Sequence, residues 1–406
     1  MKLEIKNFGP IKEGKIETKK VTVLIGNQGS GKSTVAKLLA TFCWIEKYVF
    51  RTEDTNTIQN EFNSSFTKFL EYHRIEDYVS INDDSYALYE GIASRIEYSV
   101  CPWDSNVKQL TPSNSNYVLP KITYFPAERN FVSSIKKSKE GSNYRLWSQS
   151  LQEFKEIFQE AKVNLQGTLL LPINDIEIQY LKQNDTLLIM GEDYTIPLSA
   201  SSSGFQSFVP MFIVVDYLSK MLQSGQEMSD EEREKFRRES ADILNNHIFT
   251  DEQKRMLLSN LAGKINVKRT INIIEEPEQN LYPSSQRSML NSLLGYNNEV
   301  DGNELILTTH SPYILSYLML AIQAAEIKEK AKGNAEILSK LYEVVPEKAI
   351  TPMKDVVVYE LNDDGTISEL PQSYGLPSND NFLNNELGKA NSLFSELMEI
   401  DNLCQE

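Results

Sequence analysis

Apolar residues follow two rhythms along this chain, and the change between them divides it. The first 25 residues alternate or run apolar: Leu3 and Ile5 share a face, Gly9-Pro10 makes a turn, and residues 21–25 (VTVLI) read as a further strand. The spacing over 33–48 predicts a helix. Residues 50–117 turn polar and rich in Asn and Ser, with one helix expected at 61–72 and hairpin strands at Tyr86-Ala-Leu-Tyr89 and Arg95-Ile-Glu-Tyr98. We read this stretch as an insertion packed on a first lobe. Residues 121–125 predict a strand returning to the core sheet, followed by PAERNF. After a basic, Ser-rich loop at 135–139 a helical stretch follows, then short antiparallel strands at 176–180, 186–190 and 194–197. Helices are expected over 204–222, 230–246 and 251–262. The last third alternates strand and helix, at 270–274, 283–294, 304–307 and 312–325, the pattern of a parallel sheet with covering helices. Residues 355–360 and 366–370 predict a hairpin across Asp363-Asp364-Gly365, and 383–400 a final amphipathic helix. There is no internal repeat and no long heptad run.

Composition narrows this little. The 406 residues are 40% hydrophobic, enough for a large core, and carry a net charge of −16. An acidic surface serves solubility and argues against coating nucleic acid over the whole surface, leaving a local patch or a partner for any such contact. The basic loop of Lys136, Lys137 and Lys139 is the one concentrated patch, and reads first as a solvated loop. Cys43, Cys101 and Cys404 stand far apart, without a metal or redox spacing, which suits a reduced, cytoplasmic setting. The most apolar stretch, 208–218, is too short to span a bilayer and is broken by Pro210 and Asp216, so no membrane partner is expected.

Four stretches carry chemistry. GNQGSGKST (Gly26, Asn27, Gln28, Gly29, Ser30, Gly31, Lys32, Ser33, Thr34) fits a phosphate loop at every defined position and lies between a strand and a helix. Its glycines let backbone N–H groups curl toward phosphates. Lys32 would reach the β- and γ-phosphates, and Ser33 would ligate Mg²⁺. Residues 271–274 deliver Glu275-Glu276-Pro277-Glu278 to a strand tip. There Glu275 would hold the magnesium and Glu276 would polarise an attacking water. Thr308-Thr309-His310-Ser311-Pro312 ends the next strand. His310 is placed to bond a γ-phosphate, while Ser311 and Pro312 read as N-cap and first residue of a helix. Ser202, Ser203 and Gly204 open another helix, where hydroxyls, free N–H groups and the helix dipole can hold an anion. Trp44, Trp103 and Trp147 read as packing residues, and Phe8 as a candidate border for an adenine.

With these motifs in place, the chain resembles the ABC-type ATPase heads of the RecF, SMC and OLD group, over most of its length and least in the insertions. The opening LEIKNFGPIKEGKIE and PAERNF share in the resemblance. It implies an α/β head with a mixed, largely parallel core sheet, an antiparallel β subdomain and an inserted helical lobe. Residues 1–406 would form one domain: a first lobe at 1–130 with its insertion near 50–117, a helical and β insert bearing the serine signature at 131–265, a second lobe at 266–345, and a hairpin and helix at 350–406. It also implies that ATP and Mg²⁺ bind between two copies. The phosphate loop, acid pair and His310 would act in cis, and Ser202 and Gly204 would cap the second copy's ATP, with Asn280 and Leu281 at the seam.

Ser203 and Phe205 stand where transporter signatures carry glycine and glutamine, and Glu275 replaces the usual aspartate, departures consistent with slow hydrolysis. Glu128 and Arg129 occupy the place of a glutamine loop, where either could sense magnesium or lobe angle. The tail after His310 lacks the acidic spacing of a TOPRIM nuclease. Stand-alone ATPases of this build resemble components of bacterial anti-phage defence systems such as Septu, PARIS or retron-linked operons. That resemblance implies a separately encoded nuclease or other effector, with a phage protein or DNA as trigger. A RecF-like DNA-repair ATPase is the alternative, and the nucleotide subunit of a transporter a third reading.

Overall fold

A computed structural model describes residues 1–52, 68–79, 85–101, 104–112, 117–134, 147–223 and 267–403, with a few positions between 238 and 258. The basic loop at 135–139, Trp103, most of the helices expected at 230–246 and 251–262, and the first part of the 61–72 helix lie outside the described residues.

β1 (Lys2–Phe8) and β2 (Ile11–Glu17) pair as an antiparallel hairpin through Gly9, whose φ is +57°. β3 (Val21–Gly26) follows with every residue buried, and α1 (Lys32–Thr52) leaves the phosphate loop. β4 (Ser85–Glu90), β5 (Ser94–Cys101) and β6 (Asp104–Pro112) extend the first hairpin into a five-stranded sheet ordered β2-β1-β4-β5-β6. The stretch read as an insertion therefore continues the edge of β1.

β7 (Pro120–Phe125) runs into a 3-10 helix at Ala127–Ser134. α2 (Gln149–Asn164) starts at Ser148, whose hydroxyl accepts the Leu151 N–H and so satisfies a helix-end donor. β8 (Thr168–Leu170), β9 (Glu177–Leu181), β10 (Thr186–Met190) and β11 (Thr195–Pro197) form the expected antiparallel unit, with β8 added at its edge. α3 (Ser203–Gln223) carries Pro210 in its interior. Proline has no N–H for the Gln206 carbonyl, and the Ser133 hydroxyl donates to that carbonyl instead, at 2.7 Å.

The last third holds β12 (Arg269–Glu275), α4 (Pro283–Asn298), β13 (Glu304–Thr308), α5 (Pro312–Ala331), α6 (Ala335–Val344), β14 (Val356–Leu361), β15 (Ile367–Glu369) and α7 (Phe382–Leu403). α6 was not anticipated. The hairpin of β14 and β15 forms as expected, but β14 also pairs with β3 in parallel and so belongs to the core sheet. Among the described residues no helix is long and apolar enough to cross a membrane.

The core sheet runs β15-β14-β3-β13-β12-β7. Its five strands from β14 to β7 are parallel and β15 is antiparallel, which gives the mixed sheet and α/β class expected. Its two faces are sorted by strand alternation. Val21, Val23, Ile25, Ile274, Leu305, Leu307, Val356 and Val358 join a core with α2 to α5 and the β8–β11 sheet. Leu24, Ile271, Ile273, Ile306, Val357 and Tyr359 join a core with α1 and the β1–β5 face. Burying each such aliphatic side chain contributes roughly 1.5–3 kcal/mol, and a one-residue slip would send every one to the opposite face. Register is thereby fixed, and it brings the C-terminal ends of β3, β7, β12 and β13 to one edge. That edge is where an open parallel sheet presents its ligand crevice.

Candidate nucleotide site

At the end of β3 the chain turns through Gly26, Gly29 and Gly31, at φ of +144°, +79° and +100°. Two of these have no room for a side chain. A Cβ on Gly26 would lie 2.5 Å from the Leu361 carbonyl oxygen, and one on Gly31 2.8 Å from Ile11 Cγ1. β14 and the β1–β2 turn therefore brace the loop from outside. Lys32 is buried, and its Nζ folds back to donate to the carbonyls of Gly26 (2.9 Å) and Asn27 (2.7 Å). Burial pulls its pKa down to about 8, opposed by the charges of Glu276 and Glu278. Ser30 Oγ is buried without a hydrogen-bond partner. Asn27, Gln28, Gly29 and Ser33 are exposed, while Thr34 is buried.

Glu275, the last residue of β12, is buried. Its Oε2 accepts the Ala127 N–H at 3.2 Å, while Oε1 has no hydrogen-bond partner. The Tyr124 hydroxyl stands close by. Burial first, then the Glu275 carboxylate, push its pKa well up. Glu276 adopts a left-handed backbone, φ +42°, which costs a residue with a Cβ and persists only where neighbours hold it. Its N–H donates to the Thr308 carbonyl (2.9 Å), and its own carbonyl accepts from Gln279 N–H (3.1 Å) and Arg129 Nη2 (2.7 Å). The half-buried side chain pairs with His310, Oε1 to Nε2 at 3.3 Å. That bond from His310 is the main reason the Glu276 carboxyl sits below its usual pKa.

The third acid, Glu278, was assigned nothing by motif reading. One oxygen accepts the Thr309 hydroxyl (2.7 Å) and the His310 N–H (2.8 Å); the other is buried and unpaired. Burial raises its pKa. Glu278 thus anchors the backbone that carries His310. Ser311 is the N-cap residue with Pro312 at the first turn, as expected, but its hydroxyl makes no cap bond. It donates to Gln286 Oε1 at 2.6 Å, so the expected cap does not fix His310. The signal for Glu278 was only that three acids crowd a four-residue turn where a magnesium–water site uses two.

The serine tip packs against the residues that follow the acid turn. Gly204 is buried with space only for hydrogen: a Cβ there would meet the Asn280 carbonyl oxygen at 2.7 Å. Ser202 and Ser203 are exposed. Ser201 Oγ donates to the Leu198 carbonyl, and among the described residues no hydrogen bond links 201–204 to 26–34. Lys32, Glu276 and His310 are thus brought together, and among the described residues no hydrogen bond ties the serine tip to them. Of the glutamine-loop pair, Glu128 is exposed and Arg129 wholly buried. Phe8 is also wholly buried, in the core beside α1, and offers no ring face to an adenine. Trp44 stacks on Tyr48 at 5.6 Å and Trp147 packs on the core, as expected of packing residues.

Nucleotide and magnesium fit these residues. The buried ammonium, the unpaired Ser30 Oγ and the buried Glu275 carboxylate suit phosphate oxygens and a cation. Among the described residues no group of three or more His, Cys, Asp and Glu gathers for a metal. A magnesium bound with phosphate oxygens and water needs only one or two protein ligands.

A comparison with curated proteins finds no match. Among solved structures, the chain aligns with the SMC head domain from Thermotoga maritima at 11% identity and TM-score 0.36, over 92% of this chain and 98% of that one. An Smc head from Pyrococcus furiosus, bound to the C-terminal domain of ScpA, aligns at 10% and TM-score 0.36, covering 98% of each. A dimeric bacterial ABC transporter cassette aligns at 10% and TM-score 0.28, over 91% of this chain and all of that one. The sequence model of the AAA ATPase domain matches residues 1–171 and 53–315, well over half of the chain. With its phosphate loop, acid turn and histidine gathered at one sheet edge, the chain belongs to the AAA ATPase domain family.

Proposed function

We propose that the protein hydrolyses ATP between two copies of itself, and that the nucleotide state controls a separate effector. In this reading residues 26–34 cradle the triphosphate. Lys32 gives up its two carbonyl bonds for the β- and γ-phosphates, and Ser33 and Glu275 hold Mg²⁺. Magnesium, when bound, offsets phosphate charge. Glu276, kept ionised by His310, orients the attacking water and accepts its proton. Ser202, Ser203 and Gly204 cap the triphosphate of the second copy.

The observation that carries the two-copy reading is the seat of Gly204 against Asn280. It holds the serine tip beside the acid turn with Ser202 and Ser203 exposed to a second copy. Tyr282, 76% exposed, and the exposed Tyr313 follow the acid turn and His310 directly. Exposed aromatics of this kind suit an interface core. The acidic charge supports a scaffold or sensor, with a nuclease partner in an anti-phage system, over a DNA-coating repair ATPase.

Mass photometry tests this. Glu276→Gln is expected to bind ATP, lose about 10²–10⁴ in turnover, and shift to the mass of a dimer or larger assembly with ATP but not with ADP. An unchanged mass in ATP would sink the two-copy reading.

A further inference from the structure

Arg129 is the bulkiest of the fully buried side chains among the described residues, and all its hydrogen bonds run to main-chain carbonyls. Nε donates to Ser207 (3.2 Å), Nη1 to Pro126 (3.2 Å) and Glu275 (2.6 Å), and Nη2 to Glu276 (2.7 Å). The planar fork thus joins three segments: the end of β7, the acid turn and the first turns of α3. Burying a cation to satisfy carbonyls is expensive, and a core of this size has cheaper ways to close. Two further ties run along the same seam. The Ser207 hydroxyl donates to Gln279 Oε1 at 3.0 Å, and Gly204 lies against Asn280. Ser133 holds the Gln206 carbonyl that Pro210 leaves free. The head of α3 and the acid turn are therefore clasped as one piece. Glu276, in its left-handed conformation, takes its orientation from that clasp.

We propose that Arg129 is a positioning residue that couples the serine tip of α3 to the acid turn. Seating Ser202 on a second copy's triphosphate then sets the orientation of the first copy's own Glu276. The inference rests on the two-copy reading, and it makes the two pockets communicate. A push on residues 202–204 travels along α3 to the Ser207 carbonyl, through the guanidinium, to the Glu275 and Glu276 carbonyls. Lysine keeps the charge but cannot span those carbonyls.

The test is a double-mutant cycle on the full chain with Arg129→Lys, Arg129→Met and Ser202→Ala. It reads the Kd of a fluorescent ATP analogue, kcat and KM separately, and the melting midpoint. Arg129→Lys is expected to bind nucleotide within about threefold of wild type while kcat falls at least about tenfold. Combined with Ser202→Ala, it should be no slower than the slower single variant, because both break one path. Additive losses, or wild-type kcat in Arg129→Lys and Arg129→Met, overturn the coupling. Wild-type turnover in Ser202→Ala alone overturns the two-copy reading itself, which is a different result. Where the Arg129 variants fail to fold, hydrogen exchange on the wild-type protein with a non-hydrolysable ATP analogue decides. Protection must rise together at 203–207 and 275–281, and a rise at only one of them overturns the proposal.

Discussion

Lys32 shows what burial does to a single charge. Its ammonium is buried and held by two carbonyls, and its pKa falls to about 8. Below that pH the loop is charged and attracts a triphosphate. Above it the free protein has lost the proton and must take one up to bind. Stability runs the other way: between about 8 and the ordinary lysine value the unfolded chain holds more protons than the folded one, so this residue makes stability rise with pH there. Calorimetry between pH 7 and 9, in buffers of different ionisation enthalpy, is expected to show ATP affinity falling while proton uptake grows. A flat affinity and no uptake would refute the assignment. Lys32, Glu275, Glu276 and His310 were legible in the sequence because each belongs to a spacing with a chemical reason. Glu278 and the clasp of Arg129 were not. Their partners are main-chain atoms and a hydroxyl far away in sequence, and no local pattern announces such bonds.

At the scale of the element, most strands and helices were readable from periodicity, although α6, amphipathic and capped by Asn334, was missed, and other placements that failed depended on tertiary partners. Ser311 looked like a capping hydroxyl, but Gln286 on α4 competes for it and wins. The hairpin of β14 was readable, but its place beside β3 was not, because a parallel partner leaves no local mark. Glycines separate the same way. Gly388, in α7, has open space where a Cβ would go, whereas Gly204, near the start of α3, would meet a backbone oxygen. Glycine to alanine in a helix gains about 0.5–1 kcal/mol, and forcing a group into a filled space costs about 1–3 kcal/mol. Gly388→Ala is therefore expected to raise the urea midpoint and Gly204→Ala to lower it and slow hydrolysis. Equal shifts of one sign would show that Gly204 is not packed against Asn280.

For the whole molecule, the two-copy reading makes a demand on mixtures. Lys32→Ala disables a copy's own loop, and Ser202→Arg disables what it lends. Each variant alone is expected to be inactive. Mixed in equal amounts, half of the pairs are hybrids with one intact site in two, so about a quarter of wild-type turnover should return if the sites are independent and only a few per cent if they communicate through Arg129. No recovery on mixing would argue that each chain completes its own site. One more consequence follows from the pairing of β14 with β3, in which Leu361 lies against Gly26. The ribosome makes the bracing strand more than 300 residues after the glycine loop. At about 5–20 residues per second the nascent chain spends tens of seconds without it. Synthesis order therefore acts as a timer, withholding the loop's outer brace until β14 has emerged.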